Sequence, residues 1–192
     1  MKKGTLVYLA NRDAENFCRS FMLEGAMEGG LGVAAASLPR HISLGMPYEV
    51  EDFQGYMDFA EEYAKEFSPI TVRLTDMGCA PLGTATGNYC FRFETEADLD
   101  AERMRTVKVL REKLHLNVPE KDGVTGSRNI TLGFGTAPYS AYEAFVEGAD
   151  RSRFAGKELV FDELGVFYYD APTISASTFC CVKRIPLCGS KN

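Results

Sequence analysis

A six-residue motif occurs twice in this chain of 192 residues. Arg-His-Ile-Ser-Leu-Gly at 40–45 returns as Arg-Asn-Ile-Thr-Leu-Gly at 128–133, nearly half of the chain later. A repeat at such an offset indicates two related structural halves. Ser43 and Thr131 both carry a hydroxyl, so the one change of chemistry between the copies is His41 against Asn129.

Alternation along a β-strand determines which motif side chains would share a surface. The first and third positions of each copy, His41 with Ser43 and Asn129 with Thr131, fall on one face, and the isoleucine between them falls on the other. If the two strands face each other, these four side chains enter one cleft. The motif therefore predicts a candidate site that contains an imidazole, an amide and two hydroxyls.

The hydrophobic patterns predict the same order of elements in both halves: strand, helix, motif strand, helix, strand. Thr95, with Asp98 three residues on, resembles the start of a helix that ends near Leu114 and buries Met104. The predicted strands are 5–10, 40–46, 70–74, 88–94, 128–133, 158–169 and 173–185, and the other helices are 13–28, 51–67 and 141–148.

These elements predict one α+β domain over residues 1–192. We expect two pseudo-symmetric lobes of antiparallel β-sheet with flanking helices around a central cleft. No linker rich in Pro, Gly and Ser divides the chain, and the loop 79–87 is the one candidate boundary. With this loop as the boundary, the two lobes would comprise roughly residues 1–80 and 85–192.

Composition excludes several classes of function. A net charge of −6 and a pI near 5.1 argue against a protein that coats long nucleic acid, but they allow a small nucleotide or an RNA end as partner. No apolar run approaches the roughly 20 residues of a membrane span, so we expect a soluble cytoplasmic protein without a membrane partner. The six cysteines form no Cys-x-x-Cys pair and there are two histidines, so neither a metal nor a cofactor is expected. The oligomeric state is not indicated, and a monomer is compatible with the sequence.

The duplicated His-x-Ser/Thr-hydrophobic motif, in this order of elements, resembles the two-histidine (2H) phosphoesterase superfamily. Bacterial 2′-5′ RNA ligase and cyclic phosphodiesterase proteins belong to it, and the resemblance covers nearly the whole chain. In that family one histidine deprotonates the attacking water or hydroxyl, the other protonates the leaving oxygen, and the paired hydroxyls hold phosphate oxygens. The resemblance implies that His41 is one acid–base group and that Ser43 and Thr131 bind phosphate.

Asn129 stands where the resemblance implies the second catalytic histidine. An amide forms hydrogen bonds but does not exchange a proton near neutral pH. A positioned acid or base supplies about 10²–10⁴-fold in rate, so we expect weakened or altered activity on a 2′,3′-cyclic nucleotide or a 2′-5′-linked RNA end. The alternatives are a non-catalytic nucleotide- or RNA-end-binding module and, third, a scaffold used only for interaction.

Residues beside the motifs suggest further roles. Tyr48 and Tyr139 follow the motif strands and are the aromatic residues expected nearest the cleft mouth, where they would stack on a base. Arg40 and Arg128 lie one position before the cleft-facing residues, so we expect them behind the sheet, in solvent or in salt bridges. His115, near a helix end, is expected to be a surface cation. The wider set of aromatic candidates also includes Phe134, Phe167, Tyr168 and Tyr169.

Overall fold

A computed structural model describes residues 2–119, 126, 128–170 and 178–188. These residues form an eight-stranded antiparallel sheet and four α-helices. The strands are β1 (Lys3–Ala10), β2 (His41–Ser43), β3 (Tyr48–Glu49), β4 (Ile70–Leu82), β5 (Thr86–Glu94), β6 (Asn129–Phe134), β7 (Glu158–Tyr169) and β8 (Phe179–Pro186). The helices are α1 (Arg12–Glu28), α2 (Phe53–Ala64), α3 (Leu99–Leu114) and α4 (Tyr139–Gly148). Short 3-10 helices lie at Ala34–Ser37 and Arg151–Arg153.

The long strand β7 joins two lobes of the sheet. The strand order is β2-β1-β7-β4-β5-β6, with β3 beside β1 and β8 beside β7. One edge of β7 pairs with β1. The other edge pairs with β4 over residues 158–161 and with β8 over 163–169. This arrangement confirms the predicted α+β fold around a cleft.

The lobes do not coincide with the two halves of the sequence. β7 and β8 come late in the chain, yet they complete the lobe that contains β1 and β2. β4 comes from the first half, yet it pairs with β5 along most of its length. The predicted boundary at 79–87 consists of the paired ends of β4 and β5 and the hairpin turn between them. The lobe bounds 1–80 and 85–192 therefore do not describe the strand pairing.

Both faces of β1 are buried, and this places the cleft. Leu6 and Tyr8 belong to the main core, to which all four α-helices contribute. Val7 and Leu9 point to the opposite face and form a second, smaller apolar cluster with Leu38 and Phe167. Side chains alternate across a strand, so an apolar run such as Leu6–Ala10 is typical of a strand that is covered on both sides.

The buried face of helix α3 differs from the sequence prediction in the first half of the helix. Its N-cap is Asp98, whose carboxylate accepts a hydrogen bond from the Ala101 N–H, whereas the Thr95 hydroxyl accepts one from the Ala97 N–H. Met104, predicted to be buried, is 65% exposed, and the neighbouring Arg103 is buried instead.

Of the predicted final strand 173–185, residues 173–177 lie outside the described residues. No helix within the described ranges is long and apolar enough to cross a membrane.

Candidate functional site

A cavity of about 440 Å³ opens between the lobes, on the face of the sheet opposite the main core. His41 and Ser43 of β2 line it from one side, and Thr131 of β6 lines it from the other. Three of the four side chains predicted from the motif thus meet in one cavity. Its other lining residues are Thr5, Leu38, Gly45, Met46, Pro47, Leu82, Asn88, Phe134, Phe167 and Phe179.

The imidazole of His41 is held in one orientation by two contacts. Nδ1 lies 2.8 Å from the carbonyl oxygen of Pro39. Because a carbonyl oxygen only accepts, Nδ1 carries the proton and Nε2 keeps its lone pair. The ring also packs edge-on against Phe167, with 4.8 Å between ring centroids. Burial lowers the pKa of His41 to about 4, so the imidazole is neutral near pH 7 and Nε2 has a lone pair that can accept a proton.

Of the two environments predicted for Arg40, the salt bridge is confirmed, with Nε 3.9 Å from Oε1 of Glu15 on α1, whereas solvent is wrong. The side chain of Arg40 is 2% exposed and crosses from β2 to the second motif strand. Nη1 donates to the carbonyl oxygens of Thr131 at 3.1 Å and Leu132 at 2.7 Å. Nη2 donates to the carbonyl oxygens of Ala35 and Leu38. Arg40 therefore links the strands that carry the two motif copies.

A second arginine supports the cleft from α3. Nε of the buried Arg103 donates to the carbonyl oxygen of Ser43 at 3.0 Å. Its Nη1 lies 3.3 Å from the carboxylate of Asp100. Sequence reasoning missed this residue because the hydrophobic pattern of the helix assigned Met104 to the buried face. Arg128, the counterpart of Arg40 in the second motif, forms an ion pair with Asp100 at 3.6 Å, as expected for a half-exposed arginine.

Asn129 lies outside the cavity, two residues before Thr131 on β6. It shares the cleft-facing side of β6 with Thr131, but it is exposed and does not line the cavity. Its cross-strand neighbour on β5 is Arg92. The second histidine of the chain, His115, ends α3 in a left-handed conformation with a φ of 53° and lies outside this cavity.

Neither tyrosine predicted to stack on a base lies in the cavity. Tyr48 is 5% exposed and belongs to the main core. Tyr139 begins α4, and its hydroxyl lies 3.8 Å from Sγ of Cys79. Both were expected near the cleft because they follow the motif strands, but the chain turns each ring to the helix-bearing face. The aromatic residues that do line the cavity are Phe134, Phe167 and Phe179.

Two solved structures share this architecture. Usb1 of Kluyveromyces marxianus has a TM-score of 0.51 and 9% sequence identity, over 97% of either chain. TT0787 of Thermus thermophilus has a TM-score of 0.52 and 14% identity, over 96% of this chain and 97% of its own. No protein-family model and no curated protein matches the sequence. At these identities the likeness shows that this chain shares the fold of the two structures.

Proposed function

We propose that this protein is an RNA phosphodiesterase-like member of the 2H fold. Its cleft would bind the phosphate of a small phosphodiester, either a 2′,3′-cyclic nucleotide or a 2′-5′-linked RNA end. The observation that carries this proposal is the convergence of His41, Ser43 and Thr131 from two motif strands on one cavity. A volume of about 440 Å³ suits a ligand of nucleotide size.

The three motif side chains of the cavity each have a chemical role in this proposal. The hydroxyls of Ser43 and Thr131 would donate hydrogen bonds to non-bridging phosphate oxygens. Nε2 of His41 would accept the proton of an attacking water or hydroxyl, since Nδ1 is engaged by the Pro39 carbonyl. An anionic phosphate beside the ring favours imidazolium, so ligand binding would raise the pKa of His41 above its value in the free protein.

The apolar lining suits the sugar and base of the ligand. Phe134 and Phe179 are half-buried at the cavity and would present ring surface to a nucleobase. Base stacking of this kind tolerates any base, because every base has a π-face. Phe167 is 1% exposed and contacts His41 edge-on, so its role would be to position the imidazole.

A non-catalytic nucleotide- or RNA-end-binding module is the second candidate. Asn129 lies outside the cavity, and its amide cannot protonate a leaving oxygen. A pKa of about 4 also makes His41 a weak base at neutral pH in the free protein. Both observations favour slow turnover or none, with binding retained.

Titration calorimetry with 2′-AMP and 3′-AMP tests the proposed phosphate site. Removing one hydrogen bond to a charged group costs about 1.5 kcal/mol or more, so the Ser43→Ala/Thr131→Ala variant should bind on the order of 10²-fold more weakly. The control is Ser68→Ala/Ser140→Ala, which removes two exposed hydroxyls elsewhere and should bind like the wild type. Equal affinities for both double variants would reject the site. Turnover of 2′,3′-cyclic AMP by the wild type then separates the enzyme from the binding module.

A further inference from the structure

The cavity is deficient in positive charge for a phosphate site. Among the described residues, no lysine or arginine side chain lines it, and His41 is neutral near pH 7. Phosphate groups are most often held by charge-assisted hydrogen bonds from arginine or lysine. A cation at the edge of the cavity would complete the site, and the cleft-facing side of the second lobe carries one.

That cation is Arg92 on β5. Asn88, Cys90 and Arg92 alternate onto one face of this strand, and Asn88 lines the cavity. Cys90 pairs in register with Thr131, and Arg92 pairs with Asn129. The side chain of Arg92 therefore lies on the same face of the sheet as those of Asn129 and Thr131, two residues along β5 from the position opposite Thr131.

A glycine on β4 determines where the guanidinium lies. The register partners are Asp76 with Arg92 and Gly78 with Cys90. A Cβ atom added to Gly78 would lie 2.6 Å from Nε and 2.9 Å from Nη2 of Arg92. The guanidinium thus rests on the bare backbone of Gly78, over β4, at the level of Cys90 and Thr131 along the strands but on the side of β5 away from β6. Any larger residue at position 78 would occupy this space.

The donors of Arg92 are open within the part of the chain that the structure describes. Within the described residues its guanidinium forms no hydrogen bond and no ion pair. Its register partner Asp76 instead lies 3.5 Å from Arg151. By contrast, Arg184 on β8 forms an ion pair with Glu163 on the neighbouring strand β7. An arginine held against a glycine with all of its donors open is suited to an anionic ligand.

We infer that Arg92, positioned by Gly78, is the phosphate-binding cation of this cleft. It would donate, from its place over β4, to a non-bridging oxygen of the phosphate that Thr131 binds. There it would supply the positive charge that a protonated second histidine would bring, without a transferable proton. This inference rests on the proposed function, because it assigns a further residue to the same phosphate site.

Calorimetric titration of 3′-AMP and of adenosine into matched variants tests the inference. Arg92→Met should weaken 3′-AMP binding about 10- to 100-fold, the range of a hydrogen bond to a charged group, and leave adenosine binding unchanged. Arg92→Lys should recover part of the loss. Gly78→Ala keeps the charge but displaces the guanidinium, so it should also weaken 3′-AMP. The control is Arg111→Met, which removes an equal charge from the exposed face of α3 and should bind like the wild type.

Several outcomes would overturn the inference. If Arg92→Met binds 3′-AMP like Arg111→Met while Ser43→Ala/Thr131→Ala binds weakly, Arg92 lies outside the site and the proposed function stands. Equal losses for adenosine and 3′-AMP would show a structural effect rather than phosphate binding. Wild-type affinity in Gly78→Ala would refute the positioning role of the glycine. If the Ser43/Thr131 variant also binds like the wild type, the proposed function fails together with the inference.

Discussion

Replacing Arg40 by methionine tests whether a buried arginine holds the two motif strands together. The substitution keeps an apolar stem and removes the guanidinium, so four main-chain carbonyls lose their donor. Two of these carbonyls belong to Thr131 and Leu132 of β6, and the other two belong to Ala35 and Leu38. Water has little access, since the side chain is 2% exposed.

The magnitude follows from the burial of these groups. An unsatisfied buried acceptor costs about 1–3 kcal/mol, but such costs are not additive, because each carbonyl has two lone pairs and neighbours relax. Removing one partner from a buried charged network costs roughly 3–5 kcal/mol. We expect Arg40→Met to lower the free energy of unfolding by about 3–5 kcal/mol. For a chain of this length, that corresponds to a fall in Tm of roughly 6–20 °C.

The repeat supplies a matched control. Arg128 occupies the same motif position, but its side chain is 38% exposed and its ion pair with Asp100 spans 3.6 Å. Exposed ion pairs contribute about 0–1 kcal/mol, so Arg128→Met should change stability by no more than that. Urea unfolding followed by circular dichroism measures both variants, with equal m-values as the condition for comparison. Equal destabilisation by the two substitutions would refute the view that Arg40 links the lobes.

Two further predictions concern the chemistry of the cleft. Asn129→His should raise the rate of 2′,3′-cyclic AMP hydrolysis on the order of 10²-fold, because it restores a proton donor. Adding His41→Ala to this variant should remove the gain. If Asn129→His still binds 3′-AMP but hydrolyses no faster than the wild type, the binding module is favoured. The pKa of His41 is about 4 in the folded protein and about 6.5 in the unfolded chain. Between these two pH values the imidazole is protonated in the unfolded chain and neutral in the folded protein. Stability should therefore fall as the pH drops through this window, by up to about 3 kcal/mol. Urea unfolding at pH 7 and at pH 4.5 measures how much free energy of unfolding is lost between these pH values. The loss should be smaller in His41→Gln than in the wild type or in the control His115→Asn, whose histidine is exposed. Identical losses in all three proteins would contradict the argument that burial lowers the pKa of His41.

The sequence determined those features that depend on local periodicity. The strand predicted over residues 158–169 has the bounds of β7 in the structure. Alternation along the motif strands predicted that His41, Ser43 and Thr131 would share a surface, and all three line the cavity. Period-two alternation is a property of the backbone, so it can be read without knowledge of the partner strands.

Strand pairing could not be read in this way. The repeat suggested one lobe for each half of the chain, whereas β7 and β8 complete the lobe of β1 and β2. Hydrogen bonds between strands depend on which edges meet in space, and many orders of eight strands share the same local patterns. The turn of β4 into β5, taken as a candidate boundary, has no local signal that separates a hairpin from a linker.

Arg40 and Arg128 show most directly what only the tertiary structure decided. They occupy the same position in the two copies of one motif, and the sequence predicts the same environment for both. In the structure Arg40 is enclosed by carbonyls from the 34–38 segment and β6, whereas Arg128 lies half-exposed beside Asp100. Burial depends on the elements that pack over a side chain, and these come from distant parts of the chain. The motif therefore determined which residues face the cleft, and the packing of the lobes determined which arginine holds the cleft together.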